Sequence, residues 1–189
     1  MIYIIRHGQT EKNRANVLQG RIDIPLNDSG RQQAEEARNR LIKAGIHFDL
    51  VYTSPLIRAV QTAAIIAEGI PQVKDERLIE MDYGSFEGAD LSHPSGELAT
   101  FFSDFVHNPA PEGMEPLASV VERAAAFIED IRHLPCSILI STHAIAMKGL
   151  LEVLTPDSCG VYWSKYIGNC EVYAVENISG ILGIPHEIL

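Results

Sequence analysis

Residues 1 to 10 read Met1-Ile2-Tyr3-Ile4-Ile5-Arg6-His7-Gly8-Gln9-Thr10. From Ile2 to Ile5 every residue is β-branched or aromatic and none is polar, the pattern of a strand buried on both faces. Such a strand belongs in the middle of a sheet. It runs without a break into Arg-His-Gly, so a guanidinium and an imidazole stand at its carboxyl end, where open α/β sheets carry their ligand sites. That pair suits a phosphate group: Arg6 can grip its oxygens as a fork, and His7 can attack the phosphorus. A surface Arg followed by a half-buried His is spelled by the same letters, so other stretches must distinguish the two.

A second apolar run ends in the same way. Ser137-Ile138-Leu139-Ile140-Ser141 reads as a strand and leads into Thr142-His143. Two strands that each deliver a His to the carboxyl edge allow one imidazole to attack while the other stabilises. A His pair can also ligate a metal, but neither residue lies in an HExxH or HxH spacing.

Between these strands the chain alternates strand and helix. Glu11 to Asp28 has no clear period and reads as a loop with one helical turn, in which Arg14 and Arg21 are either solvated or in contact with a substrate. A helix from Asp28 to Ala44 is expected, capped by Asn27 or Asp28, with Ala34, Ala37 and Leu41 inward and Gly45 as its stop. Leu50-Val51-Tyr52-Thr53 is a strand. Ser54-Pro55 then reads as a helix start, with Ser as cap and Pro at the first helical position, followed by a buried stripe of Leu56, Ala59, Val60, Ala63, Ile66 and Ala67. Arg58 falls in the first turn, against the helix dipole. Either it snorkels to solvent, or it and the free N–H groups of the helix terminus face one bound anion.

Leu78 to Gly88 crowds Glu80, Asp82 and Glu87 into eight residues beside two glycines. Cleaving a phosphate ester needs an acid to protonate the leaving oxygen, and Glu80 is the candidate. A Glu in a turn is otherwise a solvated side chain. Ala89 to Glu115 is the least organised stretch. It opens with His93-Pro94-Ser95-Gly96, carries Leu98, Phe101, Phe102, Phe105 and Val106 on a short helix, and reads as a cap whose rings form either a local core or a substrate platform. A helix opening at Glu115, with Pro116 near its first position, presents Leu117, Val120, Val121, Ala124, Phe127, Ile128 and Ile131 on one face. Another helix spans Ala144 to Leu154. Val161 to Tyr166 is ambiguous, Val172 to Val175 is a strand, and the tail with Gly180, Gly183 and Pro185 suits an edge strand.

Composition narrows the function. The chain has 189 residues, is 46% hydrophobic and carries a net charge of -10, which fits one domain over 1–189 with a cap-like insertion at about 89–115 and argues against nucleic-acid or anionic-membrane partners. An anionic substrate then needs a local cluster of cations. No run approaches a leader or a spanning segment, and Cys136, Cys159 and Cys170 have no metal-ligand spacing, so a soluble cytoplasmic protein is expected.

Arg6-His7-Gly8-Gln9-Thr10 with Asn13 resembles the opening signature of the histidine phosphatase superfamily, which includes the cofactor-dependent phosphoglycerate mutases. Three further stretches resemble the same family in order: Tyr52-Thr53-Ser54-Pro55-Leu56-Ile57-Arg58-Ala59, Leu78 to Gly88, and Thr142-His143. The resemblance implies a three-layer α/β/α sandwich with a mostly parallel central sheet, and a metal-free, cofactor-free phosphatase of small phosphate monoesters. It implies that His7 is phosphorylated, that Glu80 donates and then accepts the proton, and that Arg6, Arg58 and His143 stabilise charge. Asn13, Gln19, Gly20 and Cys170 match positions around the phosphate, the last through a backbone N–H. Two departures stand out: Ala144 replaces a common Gly, and Pro116 stands where a Ser is usual. Within the resemblance a mutase is the alternative, and a silent phospho-ligand module is disfavoured because every catalytic position is filled.

Overall fold

The computed structural model describes residues 1–94, 96–158 and 160–189; Ser95 and Cys159 lie outside the described residues. Its main sheet has six strands, β1 (Ile2–Arg6), β2 (Leu50–Thr53), β3 (Gln72–Lys74), β4 (Ile138–Thr142), β5 (Val172–Val175) and a final edge strand at His186–Glu187, in the order β3-β2-β4-β1-β5-edge. β3, β2, β4 and β1 run parallel, while β5 and the edge strand are antiparallel to their neighbours. β1 is therefore internal, as its unbroken apolar run requires.

Alternation along β1 divides the core. Ile2 and Ile4 face one side, where they meet Ala124, Phe127 and Ile131 of the helix Leu117–Ile131 and Met147 and Leu150 of the helix Ala144–Leu154. Tyr3 and Ile5 face the other, against Ala34, Ala37 and Leu41 of the helix Asp28–Lys43 and Ala63 and Ile66 of the helix Ile57–Ile66. The result is the three-layer α/β/α sandwich. Each fully buried aliphatic side chain here contributes roughly 1.5–3 kcal/mol of transfer free energy.

The helices start differently from the expectation in two places. Asn27 does cap its helix, through a bond from the Gly30 N–H at 2.8 Å. Ser54 is no cap: the helix begins at Ile57, whose N–H is taken at 2.7 Å by Asp23 from a distant loop. Nor does Glu115 open its helix. That helix begins at Leu117 after Pro116, and Glu115 instead holds Arg123 at 2.9 Å. Ala144 opens its helix in ordinary helical conformation, so no glycine is needed there.

The segment from 89 to 115 contains one helix, Gly96–Ser103. Leu98 and Phe101 are buried with Met81, Tyr83, Met114 and Trp163, and Phe101 packs on Phe102 and Phe105, so the aromatic cluster is chiefly local core. Val161–Ser164 forms a single helical turn. The tail adds a hairpin, Asn177–Ile178 with Ile181–Leu182, before the edge strand.

Candidate active site

The parallel pairing of β1 with β4 sets Arg6 level with Thr142, so the residues that follow, His7 and His143, emerge side by side. Their ring centroids are 5.1 Å apart at 62°, and both are buried. The two rings are held at opposite nitrogens. His7 Nδ1 is 2.7 Å from the Gly8 carbonyl, which only accepts, so Nδ1 carries the proton and donates. His7 Nε2 is thereby left with its lone pair, toward which Arg58 Nε donates at 3.2 Å.

His143 Nε2 is 2.7 Å from Ser54 Oγ, and Ser54 Oγ also accepts the Leu56 N–H at 3.3 Å. With the Ser54 hydroxyl donating to Nε2, every group on Ser54 is satisfied and the His143 proton lies on Nδ1. That Nδ1 is buried and has no partner among the described residues, and the same is true of Arg6 Nε. Both unpaired donors belong to neighbours of His7, Arg6 before it in the chain and His143 with its ring centroid 5.1 Å away, and buried donors of this kind are what a bound anion would satisfy.

The cations have anchors. Arg6 Nη1 donates to the Ile167 carbonyl. Arg58 is fully buried, and its two terminal nitrogens donate to the Gly20 carbonyl at 2.6 Å and the Ile22 carbonyl at 2.9 Å. Burial pushes Arg58 down to about 10, against the opposing pull of Glu80, Asp23 and Glu87, so it stays charged at neutral pH. Burial first, then the Arg58 and Arg6 charges, hold His7 well below its ordinary 6.5. His143 is lowered in the same way, by burial and then Arg58. Both imidazoles are neutral at pH 7.

Glu80 lies at the amino terminus of the helix Ala144–Leu154. Its Oε1 accepts the N–H groups of Met81 at 2.9 Å and Ala146 at 3.0 Å, and Oε2 accepts that of Ile145 at 3.3 Å. The end of β4 connects these parts: Ser141 donates to the Ala59 carbonyl beside Arg58, and Thr142 donates to the Leu78 carbonyl near Glu80. Successive strand residues point to opposite faces, so one dipeptide braces both walls. Gly8 is needed for close approach, since a Cβ there would lie 2.3 Å from the Gly30 carbonyl oxygen.

The remaining expected residues differ among themselves. Asn13 accepts the Thr10 N–H at 3.1 Å, and its amide nitrogen has no partner among the described residues. Gln19 Oε1 accepts from the Thr10 hydroxyl and its amide reaches the Ile22 carbonyl, so it braces the loop. The Gly20 carbonyl holds Arg58. Cys170 corrects the expectation: its N–H bonds the Arg6 carbonyl at 3.1 Å, extending the sheet, and its side chain is buried in the core, so neither points at a phosphate. Its neighbour Asn169 donates to the His7 carbonyl instead. The N–H of Ile57 is likewise taken by Asp23, so that end of the helix contributes Arg58 but not this donor. Sequence reasoning missed Ser54 as the partner of His143; its place at the end of β2, beside β4, was the available signal.

A buried imidazole held at Nδ1, with the Arg58 guanidinium at its Nε2 and a second buried imidazole 5.1 Å away, thus stands at the carboxyl edge of the parallel strands of an α/β/α sandwich. The family model for the histidine phosphatase superfamily, branch 1, matches residues 2–180. The chain belongs to that superfamily and is a histidine-phosphatase-type enzyme acting on small phosphate esters. It is 29% identical over 170 residues to phosphoserine phosphatase 1 of Hydrogenobacter thermophilus, covering 86% of this chain and 80% of that protein. It is 33% identical over 171 residues to the 2,3-bisphosphoglycerate-dependent phosphoglycerate mutase of a Methylobacterium species, covering 82% and 80%. Among solved structures, Bacillus stearothermophilus YhfR superposes with a TM-score of 0.85 at 31% identity over 97% of this chain and 94% of that one. Among the described residues no group of three or more His, Cys, Asp or Glu is placed to hold a metal ion, and no helix is long and apolar enough to cross a membrane.

Proposed function

We propose that the protein is a phosphomonoesterase for esters with a neutral leaving group, working by two in-line transfers. The His7 Nε2 lone pair attacks phosphorus, the ester P–O bond breaks, and Glu80 gives its proton to the departing oxygen. Water then attacks the phosphohistidine, returns a proton to Glu80 and releases inorganic phosphate and free His7. Arg6, Arg58, the Asn13 amide and the His143 Nδ1–H stabilise the equatorial oxygens, the largest source of rate in this chemistry.

The observation that carries the substrate class is how the outer arginines are spent. Arg21 is 3.2 Å from Asp82 and 3.5 Å from Glu115, Arg123 is 2.9 Å from Glu115, and Arg14 pairs with Glu11 at 2.5 Å. A second anionic group on the substrate would compete with these carboxylates. Lys148, which burial pushes down to about 8, is still largely protonated at neutral pH, and its ammonium is engaged by the Trp163 carbonyl at 2.7 Å. Lys148 also lines a cavity of about 400 Å³ with Phe102, Phe105, Ile145 and Trp163. The N–H of Ile145, one of the residues lining this space, is held by Glu80.

The mutase reading draws on the relatives of that name, and one experiment separates the two. In a panel of phosphate esters assayed with a chelator present, neutral sugar or nucleoside monophosphates should be hydrolysed well ahead of any interconversion of phosphoglycerates. Efficient interconversion, a preference for bisphosphates, or loss of all activity to the chelator would refute the proposal.

A further inference from the structure

Glu87 touches neither imidazole, yet its carboxylate organises the loop that holds Arg58. Its Oε2 accepts the N–H groups of Gly20 at 3.1 Å and Ile22 at 3.4 Å, and its Oε1 accepts that of Arg21 at 2.7 Å. Three successive N–H groups converge on one carboxylate, a backbone nest. The carbonyls of Gly20 and Ile22 are the two acceptors of the Arg58 terminal nitrogens. Arg58 Nε in turn reaches His7 Nε2.

The approach is built in. A Cβ on Gly20 would stand 2.2 Å from Glu87 Oε1 and 2.5 Å from the Met81 carbonyl oxygen, so only glycine lets the carboxylate come this close. The loop before it has other support, since Leu18 exchanges backbone bonds with Gly88 and Ala89 and the Leu91 N–H bonds the Asn16 carbonyl. Glu87 is thus free to act on residues 20 to 22 in particular.

We propose that Glu87 is a positioning residue for phosphoryl transfer: through the peptide groups of residues 20 to 22 it aims the Arg58 guanidinium at the attacking nitrogen of His7. The Gly20–Arg21 peptide lies directly between the two charges, its N–H on Glu87 and its C=O on Arg58, so both favour the same orientation of that dipole, while the flanking N–H groups of Gly20 and Ile22 fix the turn that carries the second carbonyl. The inference rests on the roles given above to His7 and Arg58. Its effect should appear in the titration of His7, because the Arg58 charge is part of what holds that imidazole below 6.5.

The test is Glu87→Gln, which keeps the shape, removes the charge and turns a donor toward one of the three N–H groups. With nitrophenyl phosphate, kcat/KM should fall about a hundredfold, the usual consequence of a misplaced catalytic group. The NMR titration of the His7 imidazole should move upward toward 6.5, and the acid limb of the kcat/KM profile should move with it. Adding Glu87→Gln to Arg58→Ala should cost little more than Arg58→Ala alone. An unmoved His7 titration, or losses that multiply in the double variant, would overturn the proposal. If Glu87→Gln does not fold, Glu87→Asp carries the same readouts with a smaller loss, and an unmoved titration there overturns it equally. A parent enzyme that cleaves no ester would count against the proposed function, while the His7 titration would still report on Glu87.

Discussion

The carboxyl ends of β1 and β4 look interchangeable, since each is a buried apolar strand that finishes in a buried His. Their difference lies in the nitrogen that the protein ties down. The end of β1 bonds Nδ1 of His7 to the Gly8 carbonyl and leaves Nε2 as a base. The end of β4 bonds Nε2 of His143 to Ser54 and leaves Nδ1 as a buried donor without a partner. Under the proposed function these opposite attachments make one residue the nucleophile and the other an electrostatic clamp, since a histidine's role is set by the partner of its other nitrogen.

Removing His7 tests the comparison most severely. His7→Ala should lose activity on the order of a million-fold, as when the central member of a catalytic unit is deleted. Acid-labile label from a labelled ester, trapped by a base quench, should disappear with it; label that persists would assign the attack elsewhere. Glu80→Gln should cost about a hundred- to ten-thousand-fold on esters with poor leaving groups and much less on nitrophenyl phosphate, whose oxygen departs without a proton. Equal losses on both would make Glu80 a substrate-positioning group.

The β4 end allows a finer distinction. An Asn amide reproduces a donor near Nδ1 and a Gln amide reproduces one near Nε2, so His143→Asn should retain roughly ten times the activity of His143→Gln, about the worth of one charge-assisted hydrogen bond. The reverse order would show that Nε2 is the working nitrogen. The smallest effect concerns stability. Because His7 and His143 titrate well below 6.5 when folded, the unfolded chain binds more protons between those values, and stability falls as pH drops through 6.5. Each imidazole contributes a slope of up to about 1.4 kcal/mol per pH unit. Melting temperature should decline below pH 6.5 and decline less steeply in His143→Asn; identical slopes would mean that His143 is not held neutral.

What could be read from residues alone was what repeats along the chain. The apolar runs of β1, β2 and β4, the stripe Ala34-Ala37-Leu41 and the stop at Gly45 are local patterns, and each appears in the structure. The edge strand at Gln72–Lys74 escaped notice because it is short and half-exposed, so no apolar run marks it. Ser54 looked like a cap because Ser-Pro often is one, yet its hydroxyl found His143 across the sheet. Cys170 was placed by resemblance, but a positive φ of 57° turns its N–H onto Arg6. Glu87 looked like one acidic turn residue among three. For Ser54, Cys170 and Glu87 the deciding partner is remote in sequence, and local pattern carries no information about it.

The strand order has a consequence for how the protein comes into being. β1, which leads into His7, has β4 and β5 as its two neighbours in the sheet, so neither partner exists until residues 138–142 and 172–175 have been synthesised. Closing contacts of such long sequence separation is slow, and the entropy of the closed loop is lost before the contacts that offset it form. His7 is therefore among the first residues made and among the last to be set. A nascent or truncated chain that lacks β4 and β5 carries the Arg-His-Gly sequence without the site, and recovery of activity on refolding should follow the slowest sheet-forming phase, after helix formation is complete.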